Sequence, residues 1–574
     1  MHIDENRRRF AEVGDRILHT IWQSSPTTAT LLGIHKYDRT LGDLSADGFR
    51  SYTRIFKECI DVLRSEVDPE LLDPEQATDY YVALSLASSN YIALERQRFW
   101  MSDPSLYIST AIWGCFSLLI RKFAPLEERM RSMLDRMREI PDALMLSRAN
   151  ISHPPPVFAQ VALEITQAGL PFFRNAVPSI AERVPTLRND LLAANEKAVS
   201  AFEAYEKWLR ETVLPNADGN FAAGHNVYQQ LLHAEHHLTY SPTDLVLFGK
   251  RVLNETIEQI KEVAKSIDPS VTWQELVENM KKDHPSKDNV VRSYREAMES
   301  TRDFVIERDL VTLSPGEHLE VGETPEFERS ILPYAAYFPP APFEASRNAF
   351  LWVTPIDESA PGDRQQAQLL GHCTYTIPII ALHEGYPGHH VQLTRAYSSS
   401  SALRKQIQNN LLVEGWALYC EQMMQEQGFY SDPRVLLFQL KGLLWRACRI
   451  IIDVSLHTGN MKLGSAVRML VDIARLEEVN ALAEVKRYTM TPTQPMSYVI
   501  GKLLILDLRD RMKQRLGSGF DLKAFHDELL SHGSIPPALI AQKMLGETAQ
   551  ERLRIPLRRS AQASPSTGQS PPDD

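Results

Sequence analysis

The sequence predicts a mainly α-helical protein that contains one small β-sheet. Apolar residues recur at helical spacing through most of the 574 residues, and a hydrophobic content of 43% with only 26 glycines is typical of a globular, helix-rich chain. Short β-branched and aromatic runs separated by proline and glycine begin at Leu310 and predict the sheet. A chain of this length can form several domains, and one large helical body with two lobes fits the pattern equally well.

Residues 1–308 are predicted to form a helical N-terminal lobe. Its first helix runs from Glu5 to Gln23, where apolar residues repeat on one face. A second, short helix from Thr27 to Leu32 ends at Gly33, and the loop that follows carries His35, which we interpret as a loop or packing residue. Helical periodicity continues through most of the lobe, with breaks at Asp-Pro and Pro-Pro-Pro sequences that mark turns or helix starts.

A histidine-rich segment inside this lobe, with His233, His236 and His237, has two interpretations. On one helix, His233 and His237 would lie one turn apart, which is a metal-ligand spacing. However, Ser241 and Pro242 indicate that the helix is ending, and histidines interact favourably with the C-terminal end of a helix dipole. We favour the second interpretation, with a second metal site as the alternative.

Residues 309–356 are predicted to form the small β-containing segment. The runs that indicate strands are Val311 to Leu313, Leu319 to Val321, Tyr334 to Tyr337 and Ala349 to Thr354. The segment ends shortly before the stretch of the chain that is richest in metal-binding residue types, so we expect the sheet to lie beside that stretch.

The stretch from Ala381 to His390 contains three histidines and one glutamate, which are the residue types of a zinc hydrolase. The known motif His-Glu-x-x-His places two histidine ligands one helical turn apart, and its glutamate activates a water. Here Pro387 stands where the second histidine would be, and a proline kinks a helix because it removes a backbone donor.

The second ligand must therefore be His389 or His390. If Tyr386 and Pro387 are looped out, Gly388 gives room for a bulge that brings His389 into register. We favour His389, and His390 stays open as the alternative.

The sequence HEGYPGHH at residues 383–390, followed by VEGWALY at residues 413–419, resembles the bacterial DUF885 family, which is grouped with the gluzincin metallopeptidases. The resemblance covers most of the chain, from Pro26 to Gly501. It implies a zinc ion whose third ligand is a glutamate on a later helix, and Glu414 fits that position. It also implies that a strand edge, at Phe350 to Thr354, pairs with an extended substrate; plain packing is the alternative for this segment.

Residues 357–555 are predicted to form the helical, zinc-bearing lobe, and residues 556–574, rich in serine and proline, a disordered tail. Glu421 lies two turns beyond Glu414 on the same helix face, so it either orients a ligand histidine or is an alternative ligand. Several further side chains are candidates for contact with the substrate or for stabilising an oxyanion: Tyr498 first and Tyr488 second as hydroxyl donors, His457 on one stripe with Arg449 and Asp453, and the cations Arg449, Arg487 and Lys502 for a substrate carboxylate.

Composition excludes some classes of partner. The formal net charge of −11 and the lack of a long basic cluster argue against nucleic-acid binding. Five scattered cysteines without a Cys-x-x-Cys pair fit a reducing compartment. A polar N-terminus and the absence of a long apolar run predict a soluble cytoplasmic protein that neither crosses nor binds a membrane. The oligomeric state stays open.

Together these features predict a zinc-dependent hydrolase, most simply a peptidase that acts on short peptides or peptide-like amides. Zinc would be held by His383, His389 and Glu414, with a fourth position for water, and Glu384 would be the general base. A zinc hydrolase of a non-peptide metabolite and a metal-free binding protein are the two alternatives.

Overall fold

A computed structural model gives the structure of residues 2–324, 329 and 335–546. These residues form helices joined by short connections and one three-stranded sheet, which confirms the predicted mainly α architecture with a small β-sheet. The predicted disordered tail, residues 556–574, lies outside the described residues, as does the end of the predicted zinc-bearing lobe beyond residue 546.

The first half of the chain is helical, as predicted. Its helices are α1 (Ile3–Ser24), α2 (Pro26–Leu32), α3 (Ala46–Glu66), α4 (Pro74–Tyr91), α5 (Phe99–Ser102), α6 (Ser105–Ile120), α7 (Leu126–Asn150), α8 (Pro156–Pro171), α9 (Val177–Ala181), α10 (Arg188–Trp208), α11 (His225–Ala234), α12 (Pro242–Ile267), α13 (Trp273–Met280) and α14 (Val290–Glu307). Short π-helical turns extend α4, α8 and α10 at their C-terminal ends.

Local sequence signals explain where these helices begin and end. Gly33 ends α2 with a φ of 88°, a left-handed conformation that glycine adopts without steric cost. Asp73 begins α4 and Ser241 begins α12, each through a reciprocal capping box that satisfies backbone donors of the first turn. The predicted first and second helices are therefore confirmed.

The sheet consists of β1 (His318–Glu323), β2 (Ala335–Phe338) and β3 (Asn348–Val353) in the order β1-β3-β2. Strand β3 pairs parallel to β1 and antiparallel to β2. The predicted strand at Val311 to Leu313 is wrong, because this run has no strand conformation. The predicted role of Phe350 to Thr354 as a substrate-pairing edge is also wrong, since both edges of β3 are occupied by neighbouring strands.

The second half of the described chain is again helical. Its helices are α15 (Gly362–Leu370), α16 (Ile377–Glu384), α17 (His389–Ala396), α18 (Ala402–Gln406), α19 (Asn410–Glu426), α20 (Pro433–His457), α21 (Leu463–Asp472), α22 (Glu478–Met490), α23 (Ser497–Leu516), α24 (Leu522–Ser531) and α25 (Pro537–Leu545). None of the helices in the described ranges has both the length and the hydropathy of a membrane span.

One cluster of buried apolar side chains runs through both halves, from Phe10 in α1 to Met544 in α25. Its most extensive helix contacts are those of α12 with α20 and of α19 with α23. Helix α19 also packs against α16 and α17. As a result, the helices that carry the histidine-rich motif and the predicted third ligand share one buried region.

Candidate metal centre

The histidine-rich motif folds as two short helices joined by a tight connection. Helix α16 ends at Glu384 and α17 begins at His389. The main-chain N–H of Gly388 donates a hydrogen bond to the carbonyl oxygen of Leu382 at 3.0 Å. A Cβ atom on Gly388 would lie 1.9 Å from the carbonyl oxygen of His383, so only glycine lets the chain fold back this closely. The connection is the predicted bulge, and it returns the chain to His383.

His383, Glu384 and His389 converge in space. Each offers one possible ligand atom, and these atoms all lie within 4.8 Å of one another. The two imidazole rings are nearly perpendicular, with centroids 4.9 Å apart. Both histidines are buried, with 6% and 9% exposure. The structure thus brings together the first two predicted metal ligands and the predicted general base.

Glu414 on α19 completes this group, which we call the metal-site cluster (His383, Glu384, His389 and Glu414). Its Oε2 lies 3.4 Å from Nε2 of His389 and 4.0 Å from Nε2 of His383. Zinc bonds of about 2.0–2.1 Å in a tetrahedron place ligand atoms roughly 3.3 Å apart. Burial raises the pKa of Glu414, but the neighbouring His389 and His383 and the Tyr498 hydroxyl outweigh burial and lower it to about 2. Glu414 is therefore ionised, as a metal ligand must be.

Glu421 lies behind His383 and orients its ring. Its Oε1 is 2.8 Å from Nδ1 of His383, which leaves Nε2 of that ring facing Glu414. A carboxylate on the second nitrogen of a ligand histidine fixes its tautomer and raises its basicity. This geometry matches the orienting role considered for Glu421 and not the role of an alternative ligand.

His390 points away from the metal-site cluster. Its Nε2 lies 2.6 Å from Oε2 of Glu317, and its Nδ1 lies 3.1 Å from the hydroxyl of Tyr337 on β2. Tyr386 donates to the same Glu317 oxygen at 2.7 Å. Both nitrogens of His390 are thus engaged, and the structure brings His389, the favoured candidate, into the cluster instead.

Tyr498 stands beside the metal-site cluster, as predicted for a hydroxyl donor. Its hydroxyl is one of the groups that lower the pKa of Glu414. Tyr488 lies deeper, is fully buried, and accepts a hydrogen bond from Nε of Arg449 at 2.8 Å. The guanidinium of Arg449 also lies 4.6 Å from the centroid of the Tyr498 ring.

The predicted substrate cations differ in their surroundings. Arg449 and Arg487 both bind Oε2 of Glu484, at 3.0 and 2.9 Å, so their charges are already partly compensated. Lys502 is buried near Glu421 and Glu426, and burial lowers the pKa of its ammonium group to about 8 despite these carboxylates.

His457 is not brought to the metal-site cluster. Its Nε2 contacts the carbonyl oxygen of Tyr488 at 2.9 Å, and its Nδ1 accepts from the main-chain N–H of Ala223 at 3.4 Å. Burial lowers its pKa to about 4, so the ring is neutral. It lies eight residues beyond Arg449, roughly 12 Å along α20. Both ring nitrogens of His457 contact main-chain atoms, and this corrects the assignment of His457 as a catalytic residue.

Among the residues that the structure describes, the histidines of the first half are not grouped as a second metal site. Helix α11 ends at Ala234, so His233 and His237 do not share one helix face. His237 contacts the hydroxyl of Ser85 at 2.8 Å, whereas the buried His236 contacts Asn409 at 3.2 Å. The interpretation of this segment as a helix end is correct.

Arg446 is a residue of this region that the sequence analysis did not select. Its guanidinium lies 3.5 Å from Oε1 of Glu421 and 5.7 Å from the centroid of the Tyr498 ring. Its Nε is buried and has no hydrogen-bond partner in the described part of the chain. The arginine lies one turn before Arg449 on α20, but helical spacing alone does not reveal which of the two faces the metal-site cluster.

The donor set of the cluster fits zinc. Two imidazole nitrogens and one carboxylate oxygen are the protein ligands of many catalytic zinc sites. The tautomer of His383 is fixed by Glu421, and Nδ1 of His389 has no hydrogen-bond partner among the residues that the structure describes. Neither ring is therefore prevented from offering a nitrogen to a metal.

Comparisons with known proteins agree on the family and the fold. A family model described as "Bacterial protein of unknown function (DUF885)" matches residues 26–544. The chain is similar to a solved structure described as "a putative lipoprotein of unknown function from Shewanella oneidensis", with 26% identity, a TM-score of 0.78, and coverage of 93% of this chain and 99% of that one. A "putative lipoprotein from Colwellia psychrerythraea" has 19% identity, a TM-score of 0.79, and coverage of 94% and 99%. None of the curated proteins matches the chain.

Proposed function

Because the chain belongs to the DUF885 family, whose description gives no function, we propose from the geometry of its site that it is a zinc-dependent hydrolase, a peptidase that cleaves short peptides or peptide-like amides. The observation that supports this proposal is the convergence of His383, His389 and Glu414 around one point with Glu384 beside them. The arrangement corresponds to the gluzincin pattern of two histidines, a later glutamate ligand and a glutamate base.

Zinc bound at this cluster supplies a polarised water and a positive charge where an oxyanion develops. The side chains of the chain divide the remaining tasks. Glu384 has no hydrogen-bond partner among the described residues and can accept a proton from the water and pass it to the leaving amine. Tyr498 and Arg446 lie on the α20 and α23 side of the cluster, where a hydroxyl and a guanidinium can donate to a carbonyl oxygen.

An edge strand beside the cluster can hold a peptide in an extended form. We infer that this position falls to β2, which ends the sheet order β1-β3-β2 among the residues that the structure describes. Tyr337 of β2 contacts His390, the residue that follows the ligand His389. The outer main chain of β2 can therefore add a substrate strand by backbone hydrogen bonds.

The proposal is tested by metal content and turnover of the purified full-length protein. We expect about one zinc per chain, lost in His383→Ala. Glu384→Gln should keep the zinc and lower kcat on short synthetic peptides by roughly 10²- to 10⁴-fold, because the general base is gone. The control is Glu426→Gln, which removes a partly buried carboxylate of α19 that binds Arg509 and lies outside the cluster.

Stoichiometric zinc in His383→Ala would contradict the ligand assignment, and full turnover by Glu384→Gln would contradict its role as base. If zinc is bound but no peptide is cleaved, amide and ester metabolites are the next substrates to test, and their hydrolysis would replace the peptidase with the metabolite hydrolase.

A further inference from the structure

A large cleft lies between the sheet and the helices of the first half of the chain. It encloses about 1070 Å³, the upper end of the range for pockets that bind drug-sized ligands. One wall consists of the end of α6, the start of α7, and the segment from Pro171 to Arg183; the other consists of β1, β3 and the connection before β3. None of the residues of the metal-site cluster lines it.

The sheet turns an aromatic face towards this cleft. Phe350 and Trp352 line it from β3, and the ring of Phe338 on β2 packs on Trp352 with a centroid distance of 4.1 Å. The alternating residues Leu351 and Val353 are fully buried on the other face. Phe350 and Trp352 are only half-buried, so their rings are available for contact with a ligand.

The helical wall supplies positive side chains that form no ion pair within the described residues. Arg121, Lys122 and Arg183 line the cleft, and none of their side chains makes a hydrogen bond or an ion pair with another residue in the described ranges. Arg121 is half-buried, and its burial lowers the pKa of the guanidinium. A cation that is partly removed from water and left unpaired favours an anionic ligand.

The acidic residues of the sheet wall offset this charge only in part, although Glu344 also acts electrostatically on Arg121. Glu323 forms an ion pair with Arg329 at 2.9 Å, and Glu344 lies 3.4 Å from Nε2 of His35. Only Glu320 of the acidic residues that line the cleft has no such partner in the part of the chain that the structure describes. The charge that remains for a ligand is therefore positive.

We propose that this cleft is a second binding site, separate from the metal-site cluster, and that it takes a peptide segment with both acidic and apolar side chains. The carboxylates of the peptide bind Arg121, Lys122 and Arg183, and its apolar side chains pack on Phe350 and Trp352. The choice of a peptide as the ligand rests on the proposed peptidase function, whereas the need for an anion and an apolar group rests on the cleft itself.

The site is tested by calorimetric titration of the full-length Glu384→Gln protein, which prevents cleavage of the probe. The probe is an N-acetylated peptide with alternating glutamate and phenylalanine, and its counterpart carries glutamine in place of glutamate. We expect the acidic peptide to bind about tenfold more tightly than the neutral one, and its affinity to fall with rising salt.

Variants of the two walls identify where the peptide binds. Each substitution is added to the Glu384→Gln protein. Arg121→Gln or Lys122→Gln should weaken binding of the acidic peptide several-fold to about tenfold, and Trp352→Leu should weaken binding of both peptides. The matched control is Arg174→Gln, because Arg174 lies in the segment from Pro171 to Arg183 of the same wall, is paired with Glu203 and does not line the cleft. The control should bind as tightly as the parent protein.

Equal affinity for the acidic and neutral peptides would overturn the inference. A second result would also overturn the inference: peptide binding that is unchanged by Arg121→Gln, Lys122→Gln and Trp352→Leu but is lost in His383→Ala. The peptide would then occupy the metal-site cluster. Inorganic phosphate that competes as well as the peptide itself would show a simple anion site and overturn the peptide assignment. The purified protein could lack both zinc and turnover and still bind the acidic peptide through Arg121. That result would refute the proposed function and support the second binding site.

Discussion

Two consecutive histidines, His389 and His390, have different partners because successive residues of a helix point about 100° apart. His389 faces Glu414, whereas His390 holds Glu317 and Tyr337. His389 is thus placed to bind a metal, whereas His390 connects α17 to β2 and to the segment before β1.

We predict that His389→Ala and His390→Ala separate these roles. His389→Ala should lose zinc, because one of three protein ligands is removed. His390→Ala should keep about one zinc per chain and lower the Tm, because the Glu317 side chain, which is only 5% exposed, loses a hydrogen-bonded partner. Metal analysis and a thermal melt of each variant measure both effects. Zinc loss in His390→Ala with zinc retained in His389→Ala would reverse the assignment.

Sequence patterns selected most of the residues of the metal-site cluster but not all of their neighbours. His383 and Glu384 stand in a recognisable motif, and the bulge argument favoured His389. His457 was wrong and Arg446 was missed for one reason: helical spacing groups residues into a stripe, but tertiary packing decides which end of the stripe meets the cluster.

At the scale of elements, the position of Glu414 depends on the close crossing of α19 and α23. Gly415 and Gly501 meet at this crossing: a Cβ on Gly415 would lie 2.6 Å from the Cα of Gly501. Glu414, the proposed third ligand, is the residue before Gly415, and Tyr498 lies three residues before Gly501. Two glycines therefore let the helices approach until the hydroxyl of Tyr498 reaches Glu414.

We predict that Gly501→Ala impairs metal binding although it removes no ligand. The new Cβ would lie 1.9 Å from the carbonyl oxygen of Leu411, so α19 and α23 must move apart, at a cost of about 3 kcal/mol or more. Displacement of Glu414 should weaken zinc binding about tenfold or more, as measured by competition with a chelator.

Gly464→Ala is the control for this variant. Gly464 lies in helix α21, and the nearest atom to a Cβ there is the end of the flexible Arg468 side chain at 3.8 Å. This change should leave the zinc affinity unchanged and the Tm equal or slightly higher, because alanine favours a helix over glycine. Unchanged zinc affinity in Gly501→Ala would show that the crossing does not position Glu414.

Element types were more predictable than their arrangement. The 3.6-residue period predicts α1 and α2 to within a few residues, and short β-branched or aromatic runs predict β1, β2 and β3. The sheet order β1-β3-β2 was not predictable, because the alternation of residues along a strand does not specify its neighbours. The resemblance to gluzincins implies an edge strand at Phe350 to Thr354, with plain packing as the alternative, whereas β3 is the central strand of this sheet.

At the scale of the whole molecule, His35 joins the N-terminal helices to the sheet. Its Nδ1 lies 2.9 Å from Asp38, its Nε2 lies 3.4 Å from Glu344, and its ring stacks on Phe123. Burial lowers the pKa of His35, but the hydrogen bond with Asp38 and the nearby Glu344 outweigh burial and raise it to about 9. The imidazolium thus forms a link between residues more than three hundred positions apart in the chain.

We predict that this link makes the stability depend on pH between about 6.5 and 9. In this range the folded protein keeps a proton on His35 that the unfolded chain releases, so the free energy of unfolding falls as pH rises. The stabilisation is complete below about pH 6.5 and lost above about pH 9, and it amounts to at most roughly 3 kcal/mol.

The measurement compares the Tm of the wild-type protein and His35→Asn across this range. The difference in Tm should shrink by a few degrees from pH 6.5 to pH 9. His153→Asn is the control, because His153 is exposed and its contact with Asp218 lies on the surface. A Tm difference for His35→Asn that is constant with pH would contradict the charged link.

If the metal-site cluster cleaves peptides as proposed, its burial limits the size of the substrates. His383 is 6% exposed and His389 is 9% exposed, and the Glu414 side chain is 15% exposed. A scissile bond must come within hydrogen-bond reach of Glu384, so the chain that carries it must be narrow and free of tertiary structure. We predict that the protein cleaves peptides of a few residues and unfolded chains, and leaves stably folded proteins intact.

One polypeptide in two states provides the measurement. A disulfide-bonded test protein is prepared in its native form and after reduction and alkylation. Each form is incubated with the purified chain, and the fragments are followed by mass spectrometry. The unfolded form should be cleaved and the native form should persist, because local unfolding of a stable protein exposes too little chain. Glu384→Gln serves as the control for contaminating proteases. Cleavage of the native form at the same rate as the unfolded form would show that the cluster lies open to bulky substrates and would contradict the limit inferred from its burial.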